Sequence, residues 1–173
     1  YLDPDQPTLD SRLFFRAESD DGDELWVTDG TAGGTSVEDL ATGAGSSIPD
    51  VFTAVGNRIF FSAVIPGLGR ELWTTTGPDQ ASLVADLEAG AGSSVPRALT
   101  ALDDMLFFTA EVAGLRGLYT VDSLTMAVNE VAWGIVEATF YTEMVEDDSR
   151  VYFKGTPWSG GVEEIWASDG TTA

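Results

Sequence analysis

The stretch "ELWVTDGTAGGT", Glu24 to Thr35, sets one large aromatic inside an acidic frame rich in Gly and Thr. It returns in altered form as "RELWTTTGP" (Arg70–Pro78) and "EIWASDGTTA" (Glu164–Ala173), with a weaker copy at "GLYTVDS" (Gly117–Ser123). Its aromatics, Trp26, Trp73, Tyr119 and Trp166, follow one another at steps of 47, 46 and 47 residues. Two further markers keep the same period. The apolar runs "RLFFRAE", "RIFFSAV", "MLFFTAE" and "RVYFKGT" place Phe14, Phe60, Phe107 and Tyr152 at steps of 46, 47 and 45. The segments "GAGSSIP" (Gly43–Pro49) and "GAGSSVP" (Gly90–Pro96) lie 47 apart. Three markers on one period identify a repeat architecture.

Each period reads as four short strands. The first is "DVFTAV" (Asp50–Val55) or "RALTAL" (Arg97–Leu102), closed onto the next by a "GN" or "DD" turn. The second is the FF run, whose consecutive apolar residues imply burial on both faces. The third is the ELW strand. The fourth is "TSVEDL" (Thr35–Leu40) or "ASLVADL" (Ala81–Leu87). Four strands in about 46 residues is the signature of a β-propeller blade. The expected fold is therefore all-β, with tandem four-stranded antiparallel blades forming a propeller or a propeller segment. An open β repeat stack is the alternative. Units are expected at 1–45, 46–92, 93–139 and 140–173, the last incomplete, with "QPTL" (Gln6–Leu9) as the one trace of a first strand in unit one. About three and a half units implies a segment of a larger repeat protein, or a ring completed by another chain.

Composition narrows the function. The 173 residues include 29 acidic and 8 basic side chains, a net charge of −21. That balance opposes nucleic acid, which demands clustered Lys and Arg, and opposes anionic membrane surfaces. There is no Cys and no His, so disulfides, Cys-based zinc sites and Ser-His-Asp chemistry are excluded. No apolar run is long enough to insert into a membrane.

The quoted motif resembles the ELWxxDGT repeats, which occur in tandem in large secreted or surface proteins of bacteria. The likeness covers essentially the whole chain. Copy one matches at Glu24, Leu25, Trp26, Asp29, Gly30 and Thr31. Copy four matches at Glu164, Trp166, Asp169, Gly170 and Thr171, with Ile165 for Leu. Copy two has Thr76 where Asp is expected, and copy three departs further, with Gly117 and Tyr119. The resemblance implies propeller-like folding and an extracellular or cell-surface scaffold, and it implies no reaction.

Candidate site residues divide by whether they repeat. Trp26, Trp73, Tyr119 and Trp166 occur in every copy, as packing between blades requires and ligand binding does not. Sugar stacking is the alternative reading for them. Asp29, Asp122 and Asp169 suit turns in which the side chain caps backbone N–H groups two residues on. Asp20, Asp21, Asp23 and Glu24 surround Gly22 in an oxygen-rich loop, a candidate calcium site against the reading of a solvated acidic turn. Asp147 and Asp148 fall in a hairpin turn. Trp133 and Trp158 have no counterparts in other copies, which makes them candidate ligand contacts. The function expected is a non-catalytic structural, adhesive or assembly module, bound to a protein partner or to further repeats of the same polypeptide. A lectin-like, glycan-binding propeller is the alternative. A carboxylate-based glycan-active enzyme ranks last, because no acid pair stands out.

Overall fold

The computed structural model describes residues 6–133, 144–156 and 162–171. Every regular element in it is a β-strand except one 3₁₀ turn, Ala32–Gly34. The strands form four antiparallel sheets in chain order. Sheet one is β1 (Thr8–Leu9), β2 (Arg12–Ser19), β3 (Gly22–Thr28) and β4 (Thr35–Glu38). Sheet two is β5 (Asp50–Val55), β6 (Arg58–Ile65), β7 (Gly69–Thr75) and β8 (Ser82–Ala85). Sheet three is β9 (Arg97–Leu102), β10 (Met105–Val112), β11 (Leu115–Asp122) and β12 (Val128–Trp133). Sheet four holds β13 (Val145–Glu146), β14 (Val151–Gly155) and β15 (Glu164–Ser168). The first strands β5, β9 and β13 lie side by side, so the sheets pivot about a shared inner edge. Among the described residues the sheets form a propeller segment that does not close on itself.

Side-chain alternation gives each sheet two faces, and the pairing register shows which residues share one. In β2 and β3, Phe14 sits opposite Val27 and Arg16 opposite Leu25, while Phe15 sits opposite Trp26 and Ala17 opposite Glu24. The face with Phe14, Leu25 and Val27 packs on Ile59, Phe61 and Ala63 of sheet two. The pattern repeats one blade on, where Phe60 and Leu72 pack on Leu106, Phe108, Ala110 and Tyr119. A third cluster joins Phe107 and Leu118 to Met144, Val151 and Phe153. The Leu of each ELW strand therefore points forward to the following blade, and the aromatic beside it points back to the preceding one. Leu25, Leu72 and Leu118 are fully buried, each contributing about 2 kcal/mol of hydrophobic stabilisation.

Burial of the FF strands on both faces, expected for all four, occurs where a neighbour stands on each side. Five consecutive residues of β6 and of β10 are buried. In β2 only Phe14 is, because among the described residues no sheet covers the other side of sheet one. The expected first strand of unit one is reduced to the two-residue β1.

Candidate functional site

Three sets of side chains bear on function: the turns and aromatics of the motif, the acidic loop before it, and the crossovers from one sheet to the next.

The motif's aspartates are held inside their own turns. Asp29 accepts hydrogen bonds from the Thr31 amide at 2.9 Å and hydroxyl at 2.7 Å, and Asp169 does the same with Thr171 at 3.0 and 2.6 Å. Asp122 accepts from the Leu124 and Thr125 amides, and Asp147 from Ser149, Arg150 and the Tyr152 hydroxyl. These donors hold all four carboxyls below their ordinary value: the Thr31 and Thr171 hydroxyls foremost for Asp29 and Asp169, backbone amides for Asp122 and Asp147. Three of the four motif aromatics lie between blades. Trp73, Tyr119 and Trp166 each pack against one of the three inter-sheet clusters. Tyr119 also stacks on Phe108 at 5.7 Å, and burial pushes its hydroxyl pKa up to about 12. Trp26 and Trp166 donate from Nε1 to the Ala17 and Gly155 carbonyls. Trp26 lies on the uncovered face of sheet one, half-buried.

The acidic loop does not act as a unit, and the set Asp20, Asp21, Asp23 and Glu24 is separated by strand alternation. Glu24 points into the interior and is fully buried. Asp23 forms an ion pair with Arg16, and Asp20 and Asp21 stay exposed in the hairpin turn. Among the described residues, no group of three or more acidic side chains converges to hold a metal. Trp158 lies outside the described residues, and of Trp133 only its place at the end of β12 is described.

Sequence reasoning missed what Glu24 does. Its carboxylate accepts from the Ser47 amide at 2.8 Å, the Ser47 hydroxyl at 2.5 Å and the Leu40 amide at 3.1 Å. Glu71 repeats the arrangement with the Ser94 amide at 2.7 Å, the Ser94 hydroxyl at 2.5 Å and the Leu87 amide at 3.2 Å. Each carboxyl is buried, and the donors compensate for the lost water. These bonds fasten the "GAGSSxP" crossover to the third strand of the blade it has just left. Ser46 and Ser93 hydroxyls accept from the Asp23 and Arg70 amides, and the Ile48 and Val95 amides donate to the Asp23 and Arg70 carbonyls. Gly22 and Gly69 are required beneath it, since a Cβ there would stand 1.7 and 1.5 Å from the Gly45 and Gly92 carbonyl oxygens. The signal for all this was in the sequence: Glu24–Ser47 and Glu71–Ser94 share a spacing of 23, and where Gly117 replaces Glu no "GAGSS" follows.

The next blade clamps the crossover from its far side. Arg70 donates from Nη1 to the Ile48 carbonyl and the Ser62 hydroxyl, and Arg116 donates to the Val95 carbonyl and the Thr109 hydroxyl. The clamped backbone is strained. Ile48 and Val95 have φ of 45°, and Val51 and Ala98 have φ of 52° and 51°, each costing about 1–2 kcal/mol for a non-Gly residue. Val51 and Ala98 fall at register shifts, where β5 meets β6 and β9 meets β10.

Concavities open on the surface among the described residues. A cleft of about 560 Å³ between sheets three and four is lined by Trp166, Arg150, Asp169 and Phe153, among others. A smaller pocket of about 150 Å³ lies where the chain enters β5 and β9.

No protein-family model and no curated protein sequence matches the chain. Among solved structures it is similar to TolB from Acinetobacter baumannii, at 12% identity and a TM-score of 0.56 over 97% of this chain and 42% of that one. It is also similar to a chain of a nidogen/laminin complex, at 12% identity and a TM-score of 0.54 over 90% of this chain and 60% of that one. The chain thus spans less than two-thirds of either protein. Both likenesses are to β-propeller folds, and at such identity they speak to the fold alone.

Proposed function

We propose that the chain is a non-catalytic repeat module of an extracellular or cell-surface protein, and that it works as an assembly scaffold which docks through its terminal blade faces. One observation carries this reading. Ile165, the counterpart of the buried Leu25, Leu72 and Leu118, is 76% exposed. Beside it on the same face of sheet four lie Ala167, exposed, and Tyr152, half-buried. Sheet one presents the complementary face, with Phe15, Ala17 and Trp26 half-buried. Those are the counterparts of Phe61, Ala63 and Trp73, which receive Phe14, Leu25 and Val27 at the first internal interface. The two ends of the segment are thus shaped to meet each other, head to tail, or to meet further blades of the same kind. Such an interface is heterologous and propagates unless its rotation closes it.

Sedimentation velocity over a concentration series tests the proposal. The chain is expected to self-associate reversibly. Ile165→Asp and Trp26→Glu are each expected to be monomeric alone and to form a 1:1 complex when mixed, since each keeps one sound face. A chain that is monomeric throughout, or variants that fail to complement, overturns the reading.

A further inference from the structure

Positive charge is unevenly distributed over the chain. The protein carries 8 basic residues against 29 acidic ones, yet four of the eight, Arg16, Arg70, Arg97 and Arg116, gather where β5 and β9 begin. Two are neutralised: Arg16 by Asp23, and Arg116 by Glu111 at 3.6 Å. The other two line the pocket of about 150 Å³, together with Asp50 and Ser62. Arg70 spends Nη1 on the Ile48 carbonyl and the Ser62 hydroxyl. Among the described residues its Nε and Nη2, and the whole Arg97 guanidinium, have no hydrogen-bond acceptor, and neither residue forms an ion pair. Asp50, the one acid in the pocket, turns an oxygen to the Val51 amide.

The backbone is shaped to this end. Asp50 and Arg97 are the first residues of equivalent strands, each followed by a left-handed residue at a register shift. A bulge re-aims the neighbouring side chain, and strain of this kind gathers at functional positions. Burial pushes the Arg70 guanidinium down; Asp50 opposes the shift and the positive charges of Arg97 and Arg16 add to it, as expected where cations outnumber nearby acids.

We propose that Arg70 and Arg97 form a binding site for a single oxyanion, a carboxylate, sulfate or phosphate group, at the inner edge between blades two and three. Guanidinium forks match the paired oxygens of such groups. The pocket of about 150 Å³ has room for one anionic group. The net charge of −21 repels polyanions at long range, which leaves an anionic group on an otherwise weakly charged ligand. Free inorganic anions and the acidic side chain of a peptide share this chemistry.

The test is an NMR titration of the whole chain at constant ionic strength, read at the arginine Nε–H resonances. The probes are sodium sulfate, sodium phosphate, and the peptides acetyl-Gly-Asp-Gly-amide and acetyl-Gly-Asn-Gly-amide, with chloride as reference. Saturable shifts at Arg70 and Arg97 in the millimolar range are expected with at least one anionic probe and not with the Asn peptide. Saturation by sulfate or phosphate alone identifies a tetrahedral anion, and saturation by the Asp peptide identifies a peptide carboxylate. Arg97→Gln, which leaves the crossover clamp of Arg70 in place, is expected to weaken binding at least tenfold, while Arg12→Gln removes the same charge elsewhere and leaves it unchanged. The proposal is overturned if no anion saturates, if the Asn peptide binds as well as the Asp peptide, or if Arg97→Gln binds like the parent chain.

Discussion

Glu24 and Glu164 open the same motif and live in different worlds. Glu24 is fully buried, with three donors on its carboxylate, whereas Glu164 is exposed at the start of β15. Ile165 differs from Leu25 in the same sense. The motif does not bury itself. It is completed by the crossover and blade that follow, so the third strand of each sheet is half of an interface.

Removing the carboxylate separates the two cases most widely. Glu71→Ala leaves the Ser94 amide and hydroxyl and the Leu87 amide without an acceptor in a buried setting. Urea denaturation is expected to show a loss of about 3–5 kcal/mol, against less than about 0.5 kcal/mol for Glu164→Ala. Equal losses would mean that the crossover staple contributes nothing. A backbone test is expected to be somewhat smaller. Gly67 and Gly69 both have positive φ, 87° and 72°, but only Gly69 lies beneath a carbonyl oxygen. Gly67→Ala is expected to cost about 1 kcal/mol, from conformation alone. Gly69→Ala is expected to cost about 3 kcal/mol, because the Gly92 segment must shift.

The smallest effect is in pH, and its two parts have opposite signs. Asp29, Asp122, Asp147 and Asp169 are held below the ordinary value of 3.8. They bind protons less readily folded than unfolded, so their contribution is present above that value and is lost as pH falls through it. Glu71 is held above its ordinary 4.5, chiefly by burial, with the Ser94 donors opposing. It binds its proton more readily folded, so its contribution is present below 4.5 and declines as pH rises past it. Melting temperatures are therefore expected to drop below about pH 4, while the parent chain gains on Glu71→Gln as pH falls from neutral to 4.5. A constant difference between the two across that interval contradicts the assignment.

The repeat, the strand count and the inner strands Asp50–Val55 and Arg97–Leu102 were legible because period and alternation are local properties of the chain. The turn role of Asp29 was legible for the same reason. Glu24 was misplaced because its partners lie 16 and 23 residues away, so an acid beside Asp20, Asp21 and Asp23 read as one of a cluster. Strand alternation sets Glu24 on the opposite face of β3 from Asp23, where Leu40 and Ser47 close over it, while Asp21 stays in the turn. The Arg70–Arg97 pocket left no local trace at all. It depends on two left-handed residues, Val51 and Ala98, in stretches that read as ordinary strand.

The crossover staple also fixes where such a protein can be cut and rejoined. A sheet excised at its own edges, 50 to 85 for instance, carries away Glu71 and leaves Ser94 behind. The span that keeps every buried carboxylate with its donors runs instead from the third strand of one sheet into the first strand of the next. Grafts, duplications and exchanges between such chains should therefore be phased half a blade away from the visible sheet boundaries.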